Sequence, residues 1–406
     1  MKLLKSIAVL CLCSFFASAQ EPPREWIDKD TGHRVMRLSD EPGSASLYFH
    51  QNPYTPDGKK LIITTPTGLS AIDLQTRKIE QIVAGRVGVI IVGHKTGQVY
   101  YVKDRTTIYA TDPATKATRE IGKVPPRASF ATVNADETLL AGTIDEGPPP
   151  APLPPNLQPR GDAYPGKGEM MERRLAERRP LRIITLDTRT GEVKTLHQGT
   201  DWFNHFQFSP TDPTLLMFCH EGPWHKVDRT WTIRTDGTRL TQIHHRTMNM
   251  EIEGHEFFGG DGKWIWYDLQ TPKSQVFWLA GYNLATQQRI WYNLAKSEWS
   301  VHFNVSPDGK LFAGDGGGPD SVAAPDNGQW IYLFRPELNP DRTDGTMPKT
   351  LVTPGYFKAE KLVNLAKHNY SLEPNVTFTP DMKWIVFRSN MFGPTHVFAV
   401  EIEKAK

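Results

Sequence analysis

Three stretches decide how this chain is read: Asn204-His205-Phe206-Gln207-Phe208-Ser209-Pro210, Gly254-His255-Glu256-Phe257-Phe258-Gly259-Gly260-Asp261-Gly262, and Val301-His302-Phe303-Asn304-Val305-Ser306-Pro307-Asp308-Gly309. In each, a histidine stands four residues before the first residue of a polar turn. A short apolar strand follows every turn: Leu215-Leu216-Met217-Phe218, Trp264-Ile265-Trp266-Tyr267 and Leu311-Phe312. The same unit recurs at Thr55-Pro56-Asp57-Gly58, at Asn134-Ala135-Asp136-Glu137 and at Thr379-Pro380-Asp381-Met382. Further strands follow, such as residues 181–186, 330–334 and 396–400. Four short strands per unit, repeating about every forty residues, are the signature of a β-propeller. The turn count predicts an all-β, seven-bladed, single-domain propeller over residues 20–406. An unclosed ring would leave an edge strand open to aggregation. Residues 31–39 have no blade of their own, so they are expected to supply the outer strand of the last blade.

This architecture assigns faces. The inner strand of a blade runs down to the first turn and the second strand returns. Residues well before the turn therefore share one mouth of the channel with residues after the second strand. The three histidines fall there, and so do His220 and Arg229. A Pro-rich insertion at 147–180, whose only helical stretch is 168–179, is expected on the same mouth. So are long loops at 316–328 and 353–370, because loops gathered on one face of a rigid scaffold carry function.

Composition sets outer limits. A net charge of +2 on 406 residues speaks against a nucleic-acid surface. The start reads as an export signal over residues 1–19: a basic Met1-Lys2-Leu3-Leu4-Lys5, an apolar run at 7–16 and a small-residue Ala17-Ser18-Ala19. That run is too short to cross a bilayer, so the expected location is periplasmic or secreted, with no membrane partner. Cys11 and Cys13 go with the signal. Cys219 is then alone, without an internal disulfide, and its apolar neighbours predict a buried thiol.

Adjacent inner strands lie about 5 Å apart at closest. Imidazoles on them can converge on one metal ion or one substrate, or merely hydrogen-bond channel water. Asn375 has the same register in the next blade, and Glu373 lies two residues earlier on the same strand face. With His302 they would form a mixed nitrogen and oxygen site for a divalent cation, manganese or calcium ahead of zinc. Arg229 offers a fork for a carboxylate, or else an internal ion pair with Asp228 or Glu221. Trp224 and Trp202 are candidate sugar platforms, and Arg388 is a second candidate carboxylate binder. His205, His220 and Tyr370 complete the expected substrate surface.

Cys219-His220-Glu221-Gly222-Pro223, Val227-Asp228 with Trp231, His255-Glu256-Phe257, and His302 with the following Ser306-Pro307-Asp308-Gly309 and Gly314-Asp315-Gly316 resemble the oligogalacturonate lyase family. The likeness is specific over 199–316 and looser toward both ends. It implies a propeller enzyme that splits short pectic oligosaccharides by metal-assisted β-elimination. In that scheme the base stands at His255, the catalytic arginine at Arg229 and a metal ligand at His302. The chain departs from the family in the last blade. Tyr370, Glu373 and Asn375 stand where the family has a Gln and a His-x-His pair. Two other readings remain at this stage. One is a non-catalytic periplasmic binding propeller, which gives no reason for three histidines at one register. The other is a propeller glycosidase acting on uronides, which needs two carboxylates flanking the bond. Glu256, Asp315 and Glu373 are its candidates. The lack of an attached G-x-S-x-G element or α/β domain speaks against a peptidase.

Overall fold

The computed structural model describes residues 21–148, 166–321, 323–339 and 351–405. The expected export signal lies outside these residues. Among the described residues the strands form seven units around a ring. Four are separate four-stranded sheets. Two more are fused into one eight-stranded sheet, because Arg289–Leu294 pairs in parallel with Val352–Asn364. The seventh is closed by the N-terminus. His33–Arg37 lies antiparallel to His396–Lys404, with Val35 opposite Val400 and Met36 opposite Ala399. Glu25–Ile27 adds a fifth, outermost strand to that blade. No described helix is long and apolar enough to cross a membrane.

Packing follows the same ring. The buried apolar side chains fall into seven clusters, each lying where two neighbouring blades face one another. The cluster of Leu61, Ile63, Trp384, Val386, Val397 and Ala399 joins the first blade to the last. Closure is thus both hydrogen-bonded and hydrophobic. Cys219 is fully buried, as its neighbours predict.

Two insertions behave differently from each other. The one in the third blade joins its second strand (Leu139–Asp145) to its third (Leu181–Asp187) and carries a helix, Gly166–Glu177. The stretch expected as a loop over residues 353–370 is mostly strand instead. Val352–Asn364 pairs antiparallel with Trp330–Leu338 on one side and parallel with Arg289–Leu294 on the other. With both edges hydrogen-bonded and Phe357, Leu362 and Val363 buried, this segment is held as sheet rather than free at the mouth.

Candidate active site

The inner strands are not regular at the histidines. Trp202–Phe208 shifts register between Asn204 and Gln207, and Ile252–Phe258 shifts between Gly254 and Phe257. At each bulge the histidine adopts a left-handed backbone, φ +49° at His205 and +47° at His255, and Asn375 does the same at +54°. A β-bulge re-aims a side chain out of the sheet alternation, and non-glycine residues hold this conformation only where their surroundings impose it. The shared register therefore marks a structural device that turns these side chains into the channel.

His255 and His302 lie close together, with ring centroids 4.8 Å apart and nearly perpendicular. Each ring is held from behind by an aspartate on the adjacent second strand. His255 Nδ1 is 2.9 Å from Asp268 Oδ1, and His302 Nδ1 is 2.8 Å from Asp315 Oδ2. Both aspartates follow their histidine by thirteen residues, an offset readable in the sequence but not noticed there. With Nδ1 engaged, Nε2 is the atom left for chemistry at His255, whereas at His302 it also meets the Tyr48 hydroxyl at 3.2 Å. Burial drives His255 well below the usual histidine range, with help from His302 and Arg229, so the ring is neutral at pH 7. Burial lifts Asp268 to about 7. At His302 burial works downward, but the Asp315 and Glu373 carboxylates outweigh it and leave the group raised.

Arg229 is 2% exposed and spent internally. Its Nε donates to Glu256 Oε2 and its Nη1 to Glu221 Oε1, both at 3.0 Å. Two of the guanidinium's three nitrogens are therefore held by carboxylates, and of the two expected internal pairs the one with Glu221 is what forms; Asp228 pairs with Arg246 instead. What Arg229 contributes is a fixed positive charge beside His255. Glu221 also meets His205 Nε2 at 3.0 Å and accepts from Trp224 Nε1 at 3.3 Å. Trp224 stands edge-on to His255, with centroids 5.8 Å apart. His205, Cys219 and Glu221 present ligand atoms within 4.8 Å of one another. However, the carboxylate there already neutralises Arg229, and burial holds the thiol protonated.

The three expected metal ligands separate. His302 Nε2 faces Glu373 Oε2 at 3.7 Å, and the Glu373 side chain is 40% exposed. This imidazole and carboxylate suit a borderline-hard divalent ion. Asn375 does not join them, because both its amide atoms are committed. Its Oδ1 accepts from Phe49 N at 3.1 Å and its Nδ2 donates to Glu373 O at 3.0 Å. Tyr370 is likewise withdrawn, its hydroxyl donating to Asp315 O at 3.0 Å, so it braces the site rather than lining it. Arg388 donates from Nε to Glu373 O at 2.7 Å and positions that residue's loop. His220 stacks on Trp231 at 5.0 Å, and burial lowers it to about 4. Of the glycosidase candidates, Glu256 is held by Arg229 and Asp315 by His302, which leaves no free carboxylate pair among them.

Sequence reasoning missed Tyr48, Phe49 and His50. This segment precedes the first blade's turn and crosses the channel. Phe49 is 2% exposed and packs in the cluster between the fifth and sixth blades, its ring 4.6 Å from that of His302. Tyr48 brings its hydroxyl to 3.2 Å from His302 Nε2, and His50 adds a fourth imidazole 6.1 Å from His205. Gln51, four residues before the Thr55 turn, donates its amide to Ile90 O.

Comparison with known proteins gives one consistent family. The sequence profile described as oligogalacturonate lyase matches residues 171–405, more than half of the chain. The oligogalacturonate lyase of Dickeya dadantii strain 3937 is 25% identical over 403 residues, covering 92% of this chain and 95% of its own length. The oligogalacturonide lyase of Pectobacterium atrosepticum is 24% identical with the same coverage. Among solved structures, an oligogalacturonate lyase in complex with manganese matches with a TM-score of 0.74 at 23% identity, covering 94% of this chain and 96% of that one. An oligogalacturonate lyase from Vibrio parahaemolyticus gives 0.72 at the same identity and coverage. These two likenesses establish the propeller fold.

Proposed function

The chain belongs to the oligogalacturonate lyase family, and we propose on that premise that it cleaves short pectic oligosaccharides by β-elimination with His255 as the base. One geometry carries this reading. His255 is buried, its Nδ1 is held by Asp268 at 2.9 Å, and a fixed cation, Arg229, lies close enough to help keep it neutral. With Asp268 ionised, the proton of the neutral ring sits on Nδ1 and the lone pair of Nε2 is free. Nε2 then takes the C5 proton of a uronate unit. The electron pair forms the C4–C5 double bond as the C4–O4 bond breaks; the departing oxygen takes a proton from water to become a hydroxyl, and the imidazolium returns its proton to solvent.

His302 and Glu373 are the residues that would hold the manganese the family suggests; bound there, the ion would supply positive charge against the uronate carboxylate. Trp224 offers a flat face beside His255 for the sugar ring. Asp315, Tyr370 and Asn375 hold His302 and the Glu373 backbone in place. Export to a periplasm or the medium is part of the proposal, supported by the basic, apolar and small-residue segments of residues 1–19.

The experiment is a screen of oligogalacturonates and other uronides, with and without chelator, following the ultraviolet absorbance of an unsaturated product. Chelator-sensitive appearance of that product from oligogalacturonate supports the reading. Binding without any absorbance change would replace it with a non-catalytic sugar-binding role.

A further inference from the structure

The helix Gly166–Glu177 faces the propeller with an unusual set of side chains. Lys167, Met171 and Arg174 are spaced four and three apart and so share one face. Met171, 5% exposed, is the helix's buried residue, which makes that face the docked one. Glu169, Glu172, Arg173, Ala176 and Glu177 are exposed. Charged side chains normally take the outer face; here two cations are half-buried on the inner one. Arg174 lies with its guanidinium carbon 3.5 Å over the ring of Trp202, the first residue of the strand that carries His205. Lys167 bears electrostatically on both Glu221 and His255, so its charge reaches the channel mouth.

Neither cation has a carboxylate partner among the described residues, although the basic residues around them do. Arg173 meets Glu177, Arg178 meets Asp201, Arg179 meets Asp145 and Lys226 meets Glu172. The last three of these pairs tie the insertion to the blades. The helix is thus a fixed element holding two unpaired charges over the site. Seven residues, nearly two helical turns, place Lys167 and Arg174 about 10 Å apart along the axis, enough to meet different anionic groups.

We propose that Lys167 and Arg174 form a second carboxylate-binding element that holds a uronate unit beyond the two joined by the cleaved bond, with Trp202 backing Arg174. The proposal rests on the lyase reading above. An oligouronide carries a carboxylate on every unit, and the groups around His255 and His302 address only one of them. Lys167 and Arg174 would thereby favour substrates longer than a dimer and disfavour esterified ones.

The test uses full mature protein with Lys167→Gln, Arg174→Gln and the double variant, on di- and trigalacturonate. The double variant should raise KM for the trimer about tenfold or more, as expected for losing charge-assisted hydrogen bonds at a partly exposed site. Its kcat should stay within about threefold of the parent, and KM for the dimer should move less. The wild-type KM should climb with salt more steeply than that of the double variant. Lys167→Arg, which keeps the charge, should restore the parental value. In parallel, tryptophan fluorescence of chelated protein titrated with trigalacturonate reads binding alone. Unchanged KM, affinity and salt slope in a folded double variant overturn the proposal. If no variant, nor the parent, makes unsaturated product but salt-dependent binding is still lost in the double variant, the cation pair stands and the lyase reading falls.

Discussion

Replacing Asp268 by Asn tests the orientation of the base directly. Asp268 is 2% exposed, and its Oδ1 contacts His255 Nδ1 at 2.9 Å. An ionised carboxylate only accepts a hydrogen bond, so it fixes the proton on Nδ1 and leaves Nε2 basic. An amide can accept or donate, and a hydrogen bond to a neutral group is roughly half as strong as one to a charge. The variant therefore loses most of its preference for the useful tautomer and all of the charge that stabilises the imidazolium formed on proton transfer. Turnover should fall by about 10²- to 10⁴-fold, the range seen when a positioned base is disabled or its orienting carboxylate is removed. The pH dependence has a definite sign. Burial raises Asp268 to about 7, so the carboxylate is protonated below that pH and cannot hold the active tautomer. Wild-type turnover should fall as pH drops through about 7, and that limb should vanish in Asp268→Asn. Stability should not follow activity. A buried acid with a raised pKa disfavours folding in its charged form, so the Asn variant should melt no lower than the parent at pH 8. Initial rates by ultraviolet absorbance over pH 5–9, beside melting curves, make the measurement. A variant with kcat within threefold of wild type would refute the reasoning.

Three further outcomes are expected. His302→Ala should lose bound divalent metal when purified protein is analysed, whereas Asn375→Ala should retain it because that amide is committed to the backbone; the reverse pattern would move the site. Phe49→Ala removes a 2%-exposed ring packed against His302 and Phe257. It should cost about 3–5 kcal/mol in chemical denaturation, and a loss under 1 kcal/mol would mean that the crossing segment is not part of the core. Removing residues 21–39 strips both outer strands of the last blade and Val35 from its cluster. The whole ring should then melt earlier in one transition, and an unchanged melting curve would contradict closure by the N-terminus.

The ring was readable because each blade is a local unit: a polar turn, its flanking strands and their alternation all lie within about forty residues. The channel histidines were readable for the same reason, since the bulge that turns His205 and His255 inward sits at a constant distance from the turn. Contacts between distant parts of the chain were not. Phe49 meets Asn375 across 326 residues, and no local pattern marks Tyr48, Phe49 and His50 as channel-crossing. The inner strand of the first blade is only Ala45–Ser46, so the register seen in the other blades has no strand to place it there. The pair of Arg229 with Glu221 was legible, but its second partner Glu256 was not, because it comes from the neighbouring blade. Residues 353–370 looked like a loop because one edge of this strand is paired by Arg289–Leu294 of the neighbouring blade, a contact that leaves no local pattern in the sequence. Asn375 shares the inward register, but the Phe49 backbone claims its carbonyl.

The central claim is that a neutral His255 removes the proton, and His255→Ala measures it with the least ambiguity. Purified, metal-loaded variant and parent would be compared on oligogalacturonate by the rate of unsaturated product formation, with circular dichroism and metal content measured on the same samples. The account predicts a folded variant with unchanged metal and turnover reduced at least about 10²-fold. A folded, metal-replete His255→Ala protein that makes unsaturated product at the parental rate would contradict it.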